Sequence, residues 1–154
     1  MKIEIKLDRD RRKPGTLMIA DVIAVPCLGK ADNAAAAKVG NPSRSPIERN
    51  GDTPRGSYMA QVGSAYATTA AQRRSYGPHP VIRLTPQAGE CLTAHKLGRR
   101  GLLIHGGDPA ADGVSLRPTH GCIRLSNKHQ GALVEVLKMS GELVHLVEIT
   151  ERTT

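Results

Sequence analysis

Hydrophobic and polar residues alternate without exception in Lys2-Ile3-Glu4-Ile5-Lys6-Leu7, and a period of two predicts a half-buried strand. Arg12-Lys13-Pro14-Gly15 reads as a turn, after which the apolar stretch 16–25 predicts a second, more buried strand. Residues 26–50 are rich in Gly, Pro, Asn and Ser and predict a loop, with a short helical turn where Ala34 to Ala37 follow one another. Further strands are expected at 56–62 and 80–85. The polar, basic stretch 63–78 between them, which carries Arg73, Arg74 and two tyrosines, predicts a long loop or flap, and loops of that length tend to be functional or mobile.

The run Gly101-Leu102-Leu103-Ile104-His105 suits a buried strand that delivers His105 to its exit, and residues 108–118 form another loop. Ser126 or Asn127 can cap a helix over 128–139, whose Ala132, Leu133, Val136 and Leu137 share one face, with Gly141 beyond its end. Residues 143–149 close the chain as a strand. The expectation is a mainly β, single domain over residues 1–154, with one short helix in its C-terminal half.

Composition alters this picture in two ways. The chain of 154 residues has neither Phe nor Trp, and Tyr58, Tyr66 and Tyr76 are its aromatics, so the core must be built from aliphatic side chains. Lys and Arg exceed Asp and Glu by 22 to 14, a net charge of +8, which draws anionic partners toward the surface. Specific nucleic-acid binding is not expected, because stacking platforms for bases are scarce and no run of five basic residues occurs. No apolar stretch is long enough to span a bilayer and no hydrophobic signal core is visible near the N-terminus. Synthesis in the cytosol is expected, unless another export route operates. A monomer is expected.

Cys27, Cys91 and Cys122 are odd in number and widely spaced, which is no disulfide framework. Cys122 differs from the others in its surroundings, Thr119-His120-Gly121-Cys122-Ile123-Arg124. A thiol becomes a useful nucleophile when a neighbour removes its proton or stabilises the thiolate. In an extended segment His120, Cys122 and Arg124 share a face, and the following helix would bring its positive end near. Arg124 could favour the thiolate or hold a substrate carboxylate, and the N–H groups of Gly121 and Cys122 could receive an oxyanion. Two other readings of the cysteine stay open from the residues alone: a small buried thiol and a zinc site using His105, His120 and Cys122. Cys27 and Cys91 read as core residues, and His79, His129 and His145 as surface or structural ones.

His105-Gly106, the fourteen residues from Gly106 to Thr119, and then His120-Gly121-Cys122-Ile123-Arg124-Leu125-Ser126-Asn127 together resemble the L,D-transpeptidase catalytic domain of the YkuD type. Upstream, Thr53-Pro54-Arg55-Gly56-Ser57-Tyr58 is similar to a Thr-Pro-x-Gly-x-aromatic segment of that family. The resemblance implies a β-sandwich or barrel catalytic domain. It implies acyl transfer on peptidoglycan stem peptides, in the periplasm or cell wall if the chain is exported, with L,D-carboxypeptidase activity or a toxic wall-targeting role as variants; a zinc-dependent hydrolase and a non-catalytic cell-wall binding module that keeps the fold are the alternatives. Cys122 would attack the carbonyl after the third residue of a stem tetrapeptide. His105 would be the base, oriented by a carbonyl near Gly106; His120 and Gly121 would complete the catalytic group, and Thr119, Arg124 and Gly106 would shape substrate binding. No metal and no cofactor are implied. The second glycine after His105, Gly107, stands where the family varies.

Overall fold

The computed structural model describes residues 1–65 and 69–153. Eight strands form one sheet: β1 (Lys2–Asp8), β2 (Gly15–Ile19), β3 (Ile23–Cys27), β4 (Gly56–Ala65), β5 (Pro80–Ala88), β6 (Leu103–His105), β7 (Ile123–Arg124) and β8 (His145–Arg152). Their order is β3-β2-β1-β8-β4-β5-β6-β7. The sheet curls until its edges nearly meet. Leu28, one residue past β3, exchanges both backbone hydrogen bonds with Arg124 of β7, at 3.0 and 2.9 Å. This single bridge, just past the end of β3, makes the sheet barrel-like and covers part of its open edges.

The alternation of β1 buries Ile3, Ile5 and Leu7 inside the barrel, where they meet Leu17, Ile82 and Ile149. Tyr58 is fully buried, and its hydroxyl donates to Pro54 O at 2.6 Å. An aliphatic core of this kind depends on close packing, and truncating a buried Ile or Leu to Ala typically costs about 2–5 kcal/mol.

The expected single strand over 16–25 is a hairpin. Asp21 adopts a φ of 62° between β2 and β3, and Pro26, expected in the loop, lies within β3 opposite Thr16. Proline is tolerated there because β3 ends the sheet order and has a ladder partner on one side only. Strands β4, β5 and β8 run beyond their expected ends.

Among the described residues there are four helices where one was clear from the pattern: α1 (Asn33–Lys38), α2 (Ala70–Tyr76), α3 (Glu90–Lys96) and α4 (Asn127–Met139). Asp32 caps α1, its carboxylate accepting from Ala35 N. The expected flap holds α2, which begins with a reciprocal capping box between Thr69 and Gln72. Tyr66, also in that stretch, lies outside the described residues.

Ser126 caps α4, its hydroxyl accepting from His129 N at 3.2 Å. The buried face of α4 is Leu133, Val134 and Leu137, with Ala132 exposed. Gln130 is buried as well, and its Nε2 donates to Pro80 O at 2.9 Å and Ile104 O at 3.1 Å. The helix is thereby tied to the residue just before His105. Among the described residues no helix is long and apolar enough to cross a membrane.

Candidate functional site

Strands β6 and β7 run parallel, with Ile104 opposite Ile123 and His105 opposite Arg124. The two isoleucines point into the core. Side chains alternate along a strand, so His105 on β6, and Cys122 and Arg124 around β7, emerge on the other face. There they line one cleft of about 300 Å³ together with Thr119 and His120. Asp32, Tyr76 and Arg117 complete its wall. A second cleft of about 500 Å³, bordered by Asn50, Arg100 and Leu103, shares Tyr76, His120 and Cys122 with the first. The partly exposed Cys122 is therefore reached from two sides.

His105 is buried, and its Nδ1 lies 2.7 Å from Gly106 O. A carbonyl only accepts, so Nδ1 carries the proton and Nε2 keeps its lone pair. Burial pushes the imidazole down to about 4; the Gly106 carbonyl opposes this, while the charges of Arg124 and Arg117 add to it. His105 is thus neutral at pH 7. The Tyr76 ring, carried in by α2, meets the His105 ring edge-on at a centroid distance of 4.9 Å.

The loop after His105 is held by two side chains. Asn127 Oδ1 accepts from Gly107 N at 2.7 Å. Arg124 Nη1 donates to Gly106 O at 2.6 Å and Ser75 O at 3.1 Å, and its Nε donates to Arg117 O at 2.7 Å. The paired glycines after His105 follow from these contacts. A Cβ on Gly106 would strike Asn127 Oδ1, and one on Gly107, at φ 129°, would strike Arg124 Nη1. Arg124, expected as a candidate for a substrate carboxylate, is buried and spends Nε and Nη1 on three carbonyls; burial lowers its pKa to about 10.

The turn that carries Cys122 is fastened from behind. Thr119 Oγ1 donates to Cys122 O and accepts from Gly121 N, both at 2.9 Å. The Gly121 N–H, expected to be available to an oxyanion, is therefore engaged. Thr53 Oγ1 donates to Gly121 O at 2.6 Å. In a trans peptide the C=O and the following N–H point opposite ways, so Cys122 N–H is turned away from Thr53, and it has no hydrogen-bond partner among the described residues. Helix α4 starts shortly after β7, and its first residue, Asn127, holds the loop after His105.

Burial raises the pKa of the Cys122 thiol, opposed by the Leu103 N–H and by the charges of Arg99 and Arg124. The thiol lies 3.5 Å from Gly101 O. The neutral His105 imidazole lines the same cleft.

The upstream Thr-Pro-x-Gly-x-Tyr segment has a structural explanation in Thr53, in the Tyr58–Pro54 bond and in Gly56, whose φ of 130° brings Ala88 O and Cys91 Sγ close. Cys27 and Cys91 are buried in the core, as is His145. Burial pushes the Cys27 thiol up to about 12. Among the described residues no group of three or more His, Cys, Asp or Glu is placed to hold a metal ion. Sequence reasoning missed Arg99, Gln130 and the ring of Tyr76. Arg99 sits beside Arg100 in a pattern that resembles a solvated surface, and nothing in the spacing marks it as buried.

No curated protein matches the chain. Among solved structures, the helical cell shape determining protein Pgp2 from Campylobacter jejuni superposes with a TM-score of 0.54 at 18% identity, over 99% of this chain and 48% of that one. A point mutant of the same protein gives 0.55 at 17%, with the same coverage. At these identities the likeness is one of fold, and the chain spans about half the length of those structures, 48%. Residues 28–148, which run from the barrel-closing Leu28 through His105 and Cys122 into β8, match the L,D-transpeptidase catalytic domain, YkuD, and the chain belongs to that family.

Proposed function

We propose that the chain transfers acyl groups on peptidoglycan stem peptides through a thioester on Cys122. The observation that carries this reading is the pairing, in one cleft, of a partly exposed thiol with an imidazole whose tautomer leaves Nε2 free to accept a proton. His105 Nε2 takes the Sγ proton as sulfur attacks the carbonyl that follows the third stem residue. The oxyanion is received by the unengaged Cys122 N–H. Collapse of the intermediate expels the terminal D-amino acid, whose amine takes the proton back from His105.

The thioester then passes to an amine of a neighbouring stem, which is transpeptidation, or to water, which is carboxypeptidation. The two clefts meeting at Cys122 suit separate approach of the acyl donor and its acceptor. His120 stands between them, exposed, and lines the path of both. Thr119 and Gly106 fix backbone, and Arg124 shapes the cleft around His105. All of these groups come from one chain, so a monomer suffices. The surplus of positive charge suits substrates rich in carboxylates, and the site of action is wherever stem peptides occur, in the wall, in the periplasm or among recycled fragments.

The test compares Cys122→Ser with Cys27→Ser and Cys91→Ser on disaccharide-tetrapeptide fragments. Turnover should vanish in the first and persist in the other two. Undiminished turnover in Cys122→Ser would refute the assignment.

A further inference from the structure

Arg99 lies in the link between α3 and β6, outside every motif recognised in the sequence, and is buried. Its guanidinium is ringed by main-chain carbonyls. Nη1 donates to Pro46 O and to Asp52 O at 2.8 Å, and Nη2 donates to Gly51 O at 2.6 Å and His120 O at 3.4 Å. No carboxylate forms an ion pair with it among the described residues. A buried cation without a counter-ion is costly, and burial lowers its pKa. Such a charge is retained at a cost unless something nearby uses it.

Cys122 is the nearby group. Arg99 and Cys122 line the same cleft, and Arg99 reaches the nucleophile turn through His120 O. Gly121 takes a φ of 111°, and a Cβ there would collide with Arg99 Nη2. The glycine of His-Gly-Cys is thus the residue that lets the guanidinium pass beneath the turn. We propose that Arg99 is a positioning residue of the reaction: a buried cation that holds the Cys122 turn and stabilises negative charge on its sulfur. The proposal rests on Cys122 being the nucleophile.

The charge balance of the step explains the need. When the Sγ proton moves to His105 Nε2, the electron pair stays on sulfur and then enters the new C–S bond. His105 is neutral at rest and gains its charge only with that proton, whereas Arg99 is a cation throughout and faces the sulfur before, during and after the transfer. The other groups facing Cys122 from its own turn are His120 and Arg117; from packed elements they are Arg124 of β7, Tyr76 of α2, Asp32 at the head of α1, and Arg49 and Arg100 on the second cleft, Arg100 donating Nη1 to His95 O and Arg99 O. Arg124 commits Nε and Nη1 to carbonyls around the His105 loop. Arg99 is the cation directly beneath the turn.

The experiment is the pH dependence of iodoacetamide alkylation of the intact protein, read by mass on the peptide containing Cys122. The parent is compared with Arg99→Lys and Arg99→Met, and thermal unfolding checks that each variant is folded. Removal of a nearby opposite charge should raise the midpoint of Arg99→Met by about one pH unit, or about tenfold slower alkylation at a fixed pH below it. Arg99→Lys should stay near the parent midpoint. If Arg99→Met fails to fold, Arg99→Gln, which keeps an N–H donor, carries the same comparison. A folded neutral variant with the parent's midpoint overturns the proposal. Alkylation needs no stem peptide, so a parent inert on wall fragments would refute the proposed function and leave the Arg99 result to be judged separately.

Discussion

Replacing Thr53 by Val tests how the turn behind Cys122 is held. Thr53 is fully buried, and its hydroxyl donates to Gly121 O at 2.6 Å. Valine has nearly the same shape but no donor, so the substitution leaves a buried carbonyl without its hydrogen bond. That costs about 1–3 kcal/mol, and for a domain of this size Tm falls by about 2–4 °C per kcal/mol. The catalytic consequence follows from the shared peptide plane, because the same Gly121–Cys122 unit presents the Cys122 N–H. Losing one oxyanion donor outright costs about 10²–10³ in kcat. A donor that is loosened rather than lost should lower kcat by roughly 10–100-fold, a fraction of that effect. Steady-state release of the terminal D-amino acid and a thermal melt measure both quantities, with Thr53→Ser, which keeps the hydroxyl, as the conservative control. A Thr53→Val protein with the parent's kcat would refute the orientation argument even if its Tm fell.

Three further outcomes are expected. His105→Ala should lower the rate by roughly 10²–10⁴-fold, the worth of a positioned base, and His120→Ala by less; steady-state assays showing the reverse order would mean the base is misassigned. The pH dependence has a definite sign. The folded pKa of His105 is about 4, below the ordinary unfolded value near 6.5, so its contribution to stability is lost as pH falls from about 6.5 to 4, by roughly 3 kcal/mol in all. Urea titrations across that window should show the decline, and the acid limb of kcat/KM should lie well below pH 6.5. A carbapenem, whose strained lactam carbonyl replaces the donor carbonyl, should add covalently to the peptide containing Cys122; an adduct on Cys27 or Cys91 with Cys122 untouched would contradict the site.

The fold was legible where period and burial coincide. The alternation of Lys2 to Leu7 is β1, and the spaced leucines of α4 with Ser126 before them are the capped helix. The hairpin of β2 and β3 was hidden because Asp21 supplies the positive φ without a Gly to mark it. Helices α2 and α3 were hidden because both are short and α2 buries no residue, so neither leaves a strong apolar period. The candidate site was legible through its motif residues, and the structure gathers His105, Thr119, His120, Cys122 and Arg124 at one cleft. Its supports were not legible. Thr53 and Arg99 act across 68 and 21 residues of chain, and only the closed sheet brings such partners together. The glycines at 106, 107 and 121 were visible in the sequence, but what passes against them was not.

The most direct measurement is incubation of the protein with a disaccharide-tetrapeptide, with and without a second stem as acceptor, followed by mass analysis of every product and of the intact protein. The expected result is loss of the terminal D-amino acid, a transient acyl adduct on Cys122, and a joined product when the acceptor is present or a tripeptide when water replaces it. Unchanged fragment masses, or cleavage at any other bond with Cys122 unmodified, would contradict it.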